Sequence, residues 1–503
     1  MKITTLTPFQ FRMATTVIFS VCSGRASIDE AYSDLFAKVK VNGREQALIH
    51  RVTGDIFRRL NYYCAILHIQ RKDIPTPENV DKLVHLWHII SCQPQPYDVR
   101  TEALDIRDIK SSIHDLRKDR ALVDGCPNWL DERGFYELGD KWPQERYALW
   151  QAPSRYIRAN TLKTTRDELM KTLKRSEVHT RPVEGVPDAL EVLSDASLFK
   201  LHAFQNGLFE QQDAGSQLIA PFLDIKPGMR IIDACAGSGG KTMHLAALSK
   251  GKGQIIAMDV ADWKLKQLRG RAARDGAFNI ETRLIDSTKA IKRLKNSADR
   301  LLLDVPCSGL GVLKRNPDIK WADTPSRLNN IYKTQTEILD TYTQMVKPGG
   351  KFVYSTCSIL PIENNLRIRA FLKKHAGEFI LEEEKTVYPS ETGFDGFYMA
   401  RLARIGCGET EVKENKISVP SPDLSEAAKA LDEAMKAAAD GLEAIKSASD
   451  AADENEALSA AADAMSGPKQ KPMMEILEEA EKETASTDNE SEGVKKAKAL
   501  WNK

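Results

Sequence analysis

None of the 8 cysteines in this 503-residue chain forms a C-x-x-C pair, and none clusters with histidine at zinc-ligand spacing. That excludes a zinc-ribbon or thioredoxin-type reading and predicts no bound metal. So few cysteines in so long a chain make no disulfide framework either, so a reducing, cytoplasmic setting is expected. Long hydrophobic runs are also missing. No stretch approaches the roughly 20 apolar residues that span a bilayer, so no membrane partner is expected. The apolar stretch Ala14–Cys22 behind Arg12 is short, contains Thr15, Thr16 and Ser20, and lacks a small-residue cleavage site. It reads as a first helix and not as a signal peptide. Net charge is nearly absent at +1, but the balance is uneven. From Glu409 onward there are 12 Lys+Arg against 22 Asp+Glu, a net of −10, which leaves the first 408 residues at 60 against 49, a net of +11. A basic body with an acidic tail suits a protein that binds a polyanion.

A chain of this length divides into several domains. Residues 1–145 read as helical. Within Asn42–Leu67, Leu48, Val52, Ile56, Leu60 and Tyr63 recur at three- and four-residue spacing and predict one helix. Residues 146–213 read as a small α/β module, with strand-like Tyr156–Thr161 and Ala189–Leu193 around a helical Arg166–Leu173. Over 214–405, short apolar runs end in Asp or Ser: Met229–Asp233, Gln254–Asp259, Glu281–Asp286, Arg300–Asp304 and Lys351–Ser355. Helical stretches such as Lys264–Asp275 and Ser326–Val346 lie between them. This alternation predicts a Rossmann-like α/β domain, a parallel sheet covered by helices on both faces. Residues 406–503 are rich in Ala and Glu, with a seam of Leu424, Ala428, Leu431, Met435, Ala438, Leu442 and Ile445 over about three heptads. Three heptads predict a weak amphipathic helix in a largely disordered tail.

The loop Cys235-Ala236-Gly237-Ser238-Gly239-Gly240-Lys241 follows one predicted strand and opens a helix. Glycines there let the backbone turn tightly and approach a ligand. Roughly twenty residues past Gly239, Asp259 ends the next strand, placed to accept hydrogen bonds from ribose hydroxyls. A P-loop needs a further glycine where Cys235 stands. A nicotinamide cofactor fits the fold, but nothing downstream suggests hydride chemistry. S-adenosylmethionine, with a ribose and no phosphate, is the cofactor the loop predicts.

Two neighbouring strand ends carry cysteine, in Asp304-Val305-Pro306-Cys307-Ser308-Gly309 and Ser355-Thr356-Cys357-Ser358. Taken singly, a buried cysteine is an inert small hydrophobe. Two at the rim of one sheet, where doubly wound folds bind ligands, point to chemistry on a base. Carbon 5 of cytosine is too poor a nucleophile to attack a methyl sulfonium unaided. A thiolate added to carbon 6 makes an enamine-like adduct whose carbon 5 can attack, splitting one difficult step into easier ones. A nearby cation such as Lys241 favours the thiolate, and Asp304 can accept from the exocyclic amine of the base. These residues alone do not say which cysteine attacks.

In these motifs the chain resembles the RsmB/Nop/Sun family of RNA cytosine-5 methyltransferases, in particular the bacterial ribosomal RNA members. The resemblance runs over about 30–405 and adds Gln212–Gln217, Asn316–Trp321 and Gly393–Ala400 to the segments above. It implies that Cys357 is the nucleophile and that Cys307 assists product release, the reverse of the DNA cytosine-5 enzymes. It implies a cofactor site lined by residues 235–241, Asp259, Asp286 and Asp304. It also implies a NusB-like helical domain, an RNA-recognition-like small module, and a monomer acting on RNA, 16S ribosomal RNA in the first place. Transfer RNA, a DNA substrate and a non-catalytic ribosome-assembly factor remain alternatives. One departure stands out: the family loop reads Cys-Ala-Ala-Pro-Gly-Gly-Lys, and Gly237 and Ser238 replace its second Ala and its Pro.

Overall fold

The computed structural model describes residues 6–91, 104–321 and 324–406; the heptad seam of the tail lies outside them. Nearly all of these residues belong to one compact unit that extends to Asp131 and resumes at Pro143. The segment Glu132–Trp142 falls in a second unit. Within that segment Arg133 pairs with Glu137 one turn on, and a side chain on Gly134 would collide with the Trp142 ring.

The first part of the chain is helical, as its periodicity predicts. Thr7, Ser27 and Asn42 each open a helix through a capping box, which satisfies backbone donors that a helix start leaves orphaned. The single helix expected over Asn42–Leu67 is two, Gly43–Arg58 and Leu60–Ile66, broken at Arg59. Periodicity could not show the break, because Leu60 and Tyr63 keep the apolar register across it and stay buried in the same core.

A four-stranded antiparallel sheet follows: β1 (Arg155–Ala159), β2 (Thr180–Pro182), β3 (Ala189–Val192) and β4 (Phe209–Gln211), in the order β2-β3-β1-β4. The helix Arg166–Arg175 packs Leu169 and Leu173 beneath it.

The large sheet has seven strands: β5 (Arg230–Asp233), β6 (Gln254–Asp259), β7 (Ile280–Leu284), β8 (Ala298–Asp304), β9 (Val346–Thr356), β10 (Phe379–Val387) and β11 (Phe397–Arg404). Their order is β10-β11-β9-β8-β5-β6-β7. The five strands from β5 to β9 are parallel, but β11 runs antiparallel between β9 and β10. The expected parallel sheet is present in these five strands, and the antiparallel edge is an addition that the alternation did not indicate. After the helix Asn365–Lys374, β10 and β11 form a hairpin added to the edge, an arrangement common in doubly wound folds. The apolar runs are continuous because both faces of the sheet are covered. Successive residues point to opposite faces, so Ile232, Ile256, Leu301, Leu303 and Phe352 fill one core and Ile231, Ile255, Leu302 and Val353 the other. Full burial of one such side chain contributes about 1.5–3 kcal/mol.

The order of strands reverses beside β5, which pairs with β6 on one side and β8 on the other. Folds of this class take ligands beyond the carboxyl ends at such a reversal.

The Asn316–Trp321 motif does not sit with the chemistry. It docks the helical region on the sheet domain: the Lys320 side-chain nitrogen donates to the Arg58 carbonyl, and the Lys320 carbonyl accepts from the Trp129 indole at 3.2 Å. The Trp321 ring lies against the helical core with Arg71 over its face.

Candidate active site at the switch point

The loop after β5 enters the helix Gly240–Leu248 through Gly239 at φ +95. A Cβ there would stand 2.7 Å from Leu268, so both backbone angle and packing require glycine. At Gly237 no atom comes within 4 Å of a Cβ position, so the tip of the loop faces open space. Asp259 ties this tip to the next strand. One carboxylate oxygen accepts from the Gly237 N–H at 2.9 Å and the other from the Ala261 N–H at 2.8 Å, leaving each oxygen a second lone pair. Asp286, expected in the same site, lies two residues past the end of β7 and is exposed. Cys235 points into the core, packed against the face that holds Ile232 and Leu301.

The small module reaches this loop. Arg158 of β1, fully buried, donates to the Gly240 carbonyl at 3.0 Å and to Gln212. Glu210 of β4 holds Arg271 at 2.6 Å, and Arg271 donates to the carbonyl and hydroxyl of Ser238 at 3.1 and 3.2 Å. Ser238 stands at one of the two positions where the loop departs from the pattern that it resembles. Its hydroxyl thus gains a partner that proline could not offer.

Lys241 and Asp304 form an ion pair at 2.6 Å, with the Ser355 hydroxyl on the other carboxylate oxygen at 2.9 Å. Burial pulls the Lys241 ammonium towards losing its proton, but the Asp304 carboxylate, the Cys357 sulfur and Asp233 outweigh it and raise its pKa. Lys241 therefore stays charged through the neutral range.

Cys307 and Cys357, brought together from the ends of β8 and β9, face each other as free thiols 2.8 Å apart. The Cys357 backbone N–H also reaches the Cys307 sulfur at 3.2 Å. The two differ in surroundings. The hydrogen bond with Cys357, burial, and the charges of Cys357 and Glu363 push the Cys307 thiol well above its ordinary value. The Lys241 ammonium, by contrast, lies within electrostatic reach of the Cys357 sulfur. Gly311 closes the site from behind. Its N–H donates to the Cys357 carbonyl at 2.9 Å and its carbonyl accepts from Gly396 at 2.8 Å. A Cβ on Gly311 would meet both of those backbones, at 2.3 and 2.8 Å.

Asp233, the acid at the end of β5, escaped the sequence reading as a site residue. It is buried and accepts from the Thr242 hydroxyl at 2.7 Å. Burial pushes its carboxyl up to about 7; the Thr242 hydroxyl and Lys241 oppose the rise and Asp304 adds to it. In the folded protein it keeps its proton up to about pH 7, whereas an ordinary carboxyl loses it near 3.8. The folded state binds the extra proton, so stability present below that lower value is lost as pH rises towards 7. Asp233→Asn has no such proton to lose. Its stability relative to wild type should climb between pH 4 and 7.5, by roughly 4 kcal/mol at most. Denaturant melts at both pH values test this, and a difference independent of pH would refute it.

Glu363 and Asn364 were also missed, although an acid closing the apolar run Ile359-Leu360-Pro361-Ile362 is a signal that a buried partner awaits it. Among the described residues no group of three or more His, Cys, Asp or Glu could hold a metal ion, and no helix is long and apolar enough to cross a membrane.

Comparison with known proteins agrees with this geometry. The family described as 16S rRNA methyltransferase RsmB/F matches residues 220–403, and an RsmF/B-like ferredoxin-like domain matches 126–198. A probable ribosomal RNA small subunit methyltransferase B from Synechocystis is 34% identical over 297 residues, covering 55% of this chain and 66% of the relative. The ribosomal RNA small subunit methyltransferase B of Yersinia enterocolitica is 34% identical over 286 residues, again covering 55% and 66%. The chain thus spans slightly under two thirds of these relatives' length. A crystal structure of PH0851 superposes with a TM-score of 0.65 at 25% identity, over 80% of this chain and all of that one.

Proposed function

From the premise that this chain belongs to the RsmB/Nop/Sun family of methyltransferases, we propose that it methylates carbon 5 of a cytosine in RNA, 16S ribosomal RNA in the first place, in the cytoplasm. The observation that carries this reading is the cysteine pair, 2.8 Å apart beside the Lys241–Asp304 ion pair at the switch point. S-adenosylmethionine fits the residues present. The open tip at Gly237 gives its backbone access to a ligand, and Asp259 keeps free lone pairs for a ribose diol. The one cation of the loop, Lys241, is already neutralised by Asp304 and so does not call for a phosphate. Residues 235–241, Asp259 and Asp304 would hold it, with Asp286 at the exposed rim. When bound, it supplies an electrophilic methyl group.

The chain's own residues supply the rest. Cys357, in the field of Lys241, adds its sulfur to carbon 6 of the cytosine and pushes the ring electrons to carbon 5, which takes the methyl group. Asp304, on the same strand-end rim, accepts from the exocyclic amine and holds the ring in register. The carbon 5 proton then passes to solvent water, its bonding electrons restore the carbon 5–carbon 6 double bond, and the Cys357 sulfur departs as a thiolate. Cys307, whose thiol is held protonated, sits beside that sulfur and assists its release.

The test is methyl incorporation from labelled S-adenosylmethionine into ribosomal and transfer RNA fractions, with nucleoside analysis of each. 5-Methylcytidine in ribosomal RNA is expected. Label in transfer RNA alone would move the substrate, and cofactor binding with no label in any RNA would leave only an RNA-binding assembly factor. A chain ending at Cys407 should retain activity within roughly twofold, because β11 completes the sheet at Arg404. Loss of cofactor binding on that truncation would place part of the catalytic domain in the tail.

A further inference from the structure

Two successive side chains outside the cofactor loop and the cysteine motifs each grip one cysteine-bearing segment. Glu363 is fully buried, and its carboxylate accepts from the Ser308 N–H at 2.8 Å and from the Ser308 hydroxyl. Gln335, also buried, donates one amide group to Glu363 and to the Pro306 carbonyl, 3.0 Å in each case. The residues on both sides of Cys307 therefore hang from this carboxylate. Asn364 does the same for Cys357. Its amide oxygen accepts from the Thr356 hydroxyl at 2.6 Å, and its amide nitrogen donates to the Ser358 carbonyl at 3.0 Å. Again both flanking residues are held. The Tyr354 hydroxyl donates to the Glu363 carbonyl at 2.7 Å and fixes the pair to β9.

We propose, building on the methyltransferase reading above, that Glu363 and Asn364 are positioning residues with separate tasks, Glu363 holding Cys307 for product release and Asn364 holding Cys357 for attack on the base. Neither residue reaches a sulfur itself; each acts through the segment that it anchors. The geometry explains why the tasks separate. An amide at this position either sets its NH2 against the Ser308 N–H and Gln335 donors or turns the Ser308 hydroxyl from donor to acceptor, and in both cases it loses the charge that strengthens these bonds. The disturbance falls on the Pro306–Ser308 segment, and Asn364 keeps its grip on Thr356 and Ser358. The charge of Glu363 adds to this. Of the ionisable groups that interact with Cys307, Cys357 and Tyr354 lie on β9 and its end, and Glu363 is the buried acid. A displacement of about 1 Å at a reacting group can cost on the order of a hundredfold in rate, so a loosened segment should register clearly in the step that it serves.

The experiment is single-turnover reaction of the full chain with ribosomal RNA and S-adenosylmethionine, tracking covalent adduct formation and decay on denaturing gels. Glu363→Gln should form the adduct within about threefold of the wild-type rate and release it roughly tenfold or more slowly, so that adduct accumulates. Asn364→Ala should form it roughly tenfold or more slowly, with no accumulation. If Glu363→Gln does not fold, Ser308→Ala removes a donor at the same contact and should show the same slow release; Glu363→Asp, which keeps the charge, should restore part of it. Cofactor affinity measured by calorimetry should stay within about twofold in all of them, because the site residues 235–241 are untouched. Equal effects of both variants on both steps would overturn the proposal, as would wild-type behaviour in either. A wild type that forms no adduct and transfers no methyl group would instead overturn the methyltransferase reading on which it rests.

Discussion

Cys357→Ala should abolish methyl transfer and leave no covalent protein–RNA species, whereas Cys307→Ala should trap one. Loss of an attacking nucleophile removes the step that activates carbon 5, and only binding and positioning remain. A fall on the order of 10³- to 10⁶-fold is the scale for such residues. Loss of Cys307 leaves the attack intact and stalls release of the methylated base. The surroundings of the two sulfurs support the proposed assignment. Cys307 is pressed by its hydrogen bond with Cys357, by burial and by negative charge into keeping its proton, while Cys357 interacts with the Lys241 ammonium. Labelled RNA run with each variant on a denaturing gel decides the matter. The opposite pattern would exchange the two roles and keep the reaction.

The second large effect is expected at the ion pair. Asp304→Ala leaves the Lys241 ammonium, only 14% exposed, without its carboxylate. Breaking a buried pair on one side costs about 3–5 kcal/mol. Asp304 is 27% exposed, so water offsets part of this and about 2–3 kcal/mol is expected. Methyl transfer should fall by roughly a hundredfold or more, since the group proposed to register the base is gone. Adding Lys241→Met to Asp304→Ala separates the two losses. The neutral side chain removes the stranded charge, so stability should recover while activity does not. If stability fails to recover, the cost of Asp304→Ala lies in the lost Ser355 contact; if activity recovers, neither the Asp304 carboxylate nor the Lys241 charge is needed for transfer.

How the cofactor loop copes without the family's proline is visible only in three dimensions. Proline at 238 would fix one backbone angle by its ring. Ser238 is instead held from outside by Arg271, which Glu210 of the small module holds in turn. Local sequence showed the departure and not its remedy, because Arg271 and Glu210 lie 33 and 61 positions from their partners.

The fold itself was legible where local signals are strong. Strands buried on both faces appear as short apolar runs, and an acid ends β5, β6 and β8 because the chain turns there out of the sheet. Thus β6 spans the expected Gln254–Asp259. Legibility failed where a second arrangement satisfies the same pattern. The break at Arg59 keeps the apolar register, and strand direction leaves no trace in the composition of β10 and β11.

By itself the sequence determined the doubly wound alternation, the glycine loop and the presence of two cysteines at strand ends, all of which depend on residues near one another in the chain. Only the tertiary structure decided that the cysteines meet at 2.8 Å, that Lys241 is neutralised by Asp304 and that Glu363 and Asn364 anchor the two segments. Those facts depend on which strands become neighbours. That β8 lies between β5 and β9 is set by burial on both faces of the sheet, a property of the whole chain that no short stretch of it carries.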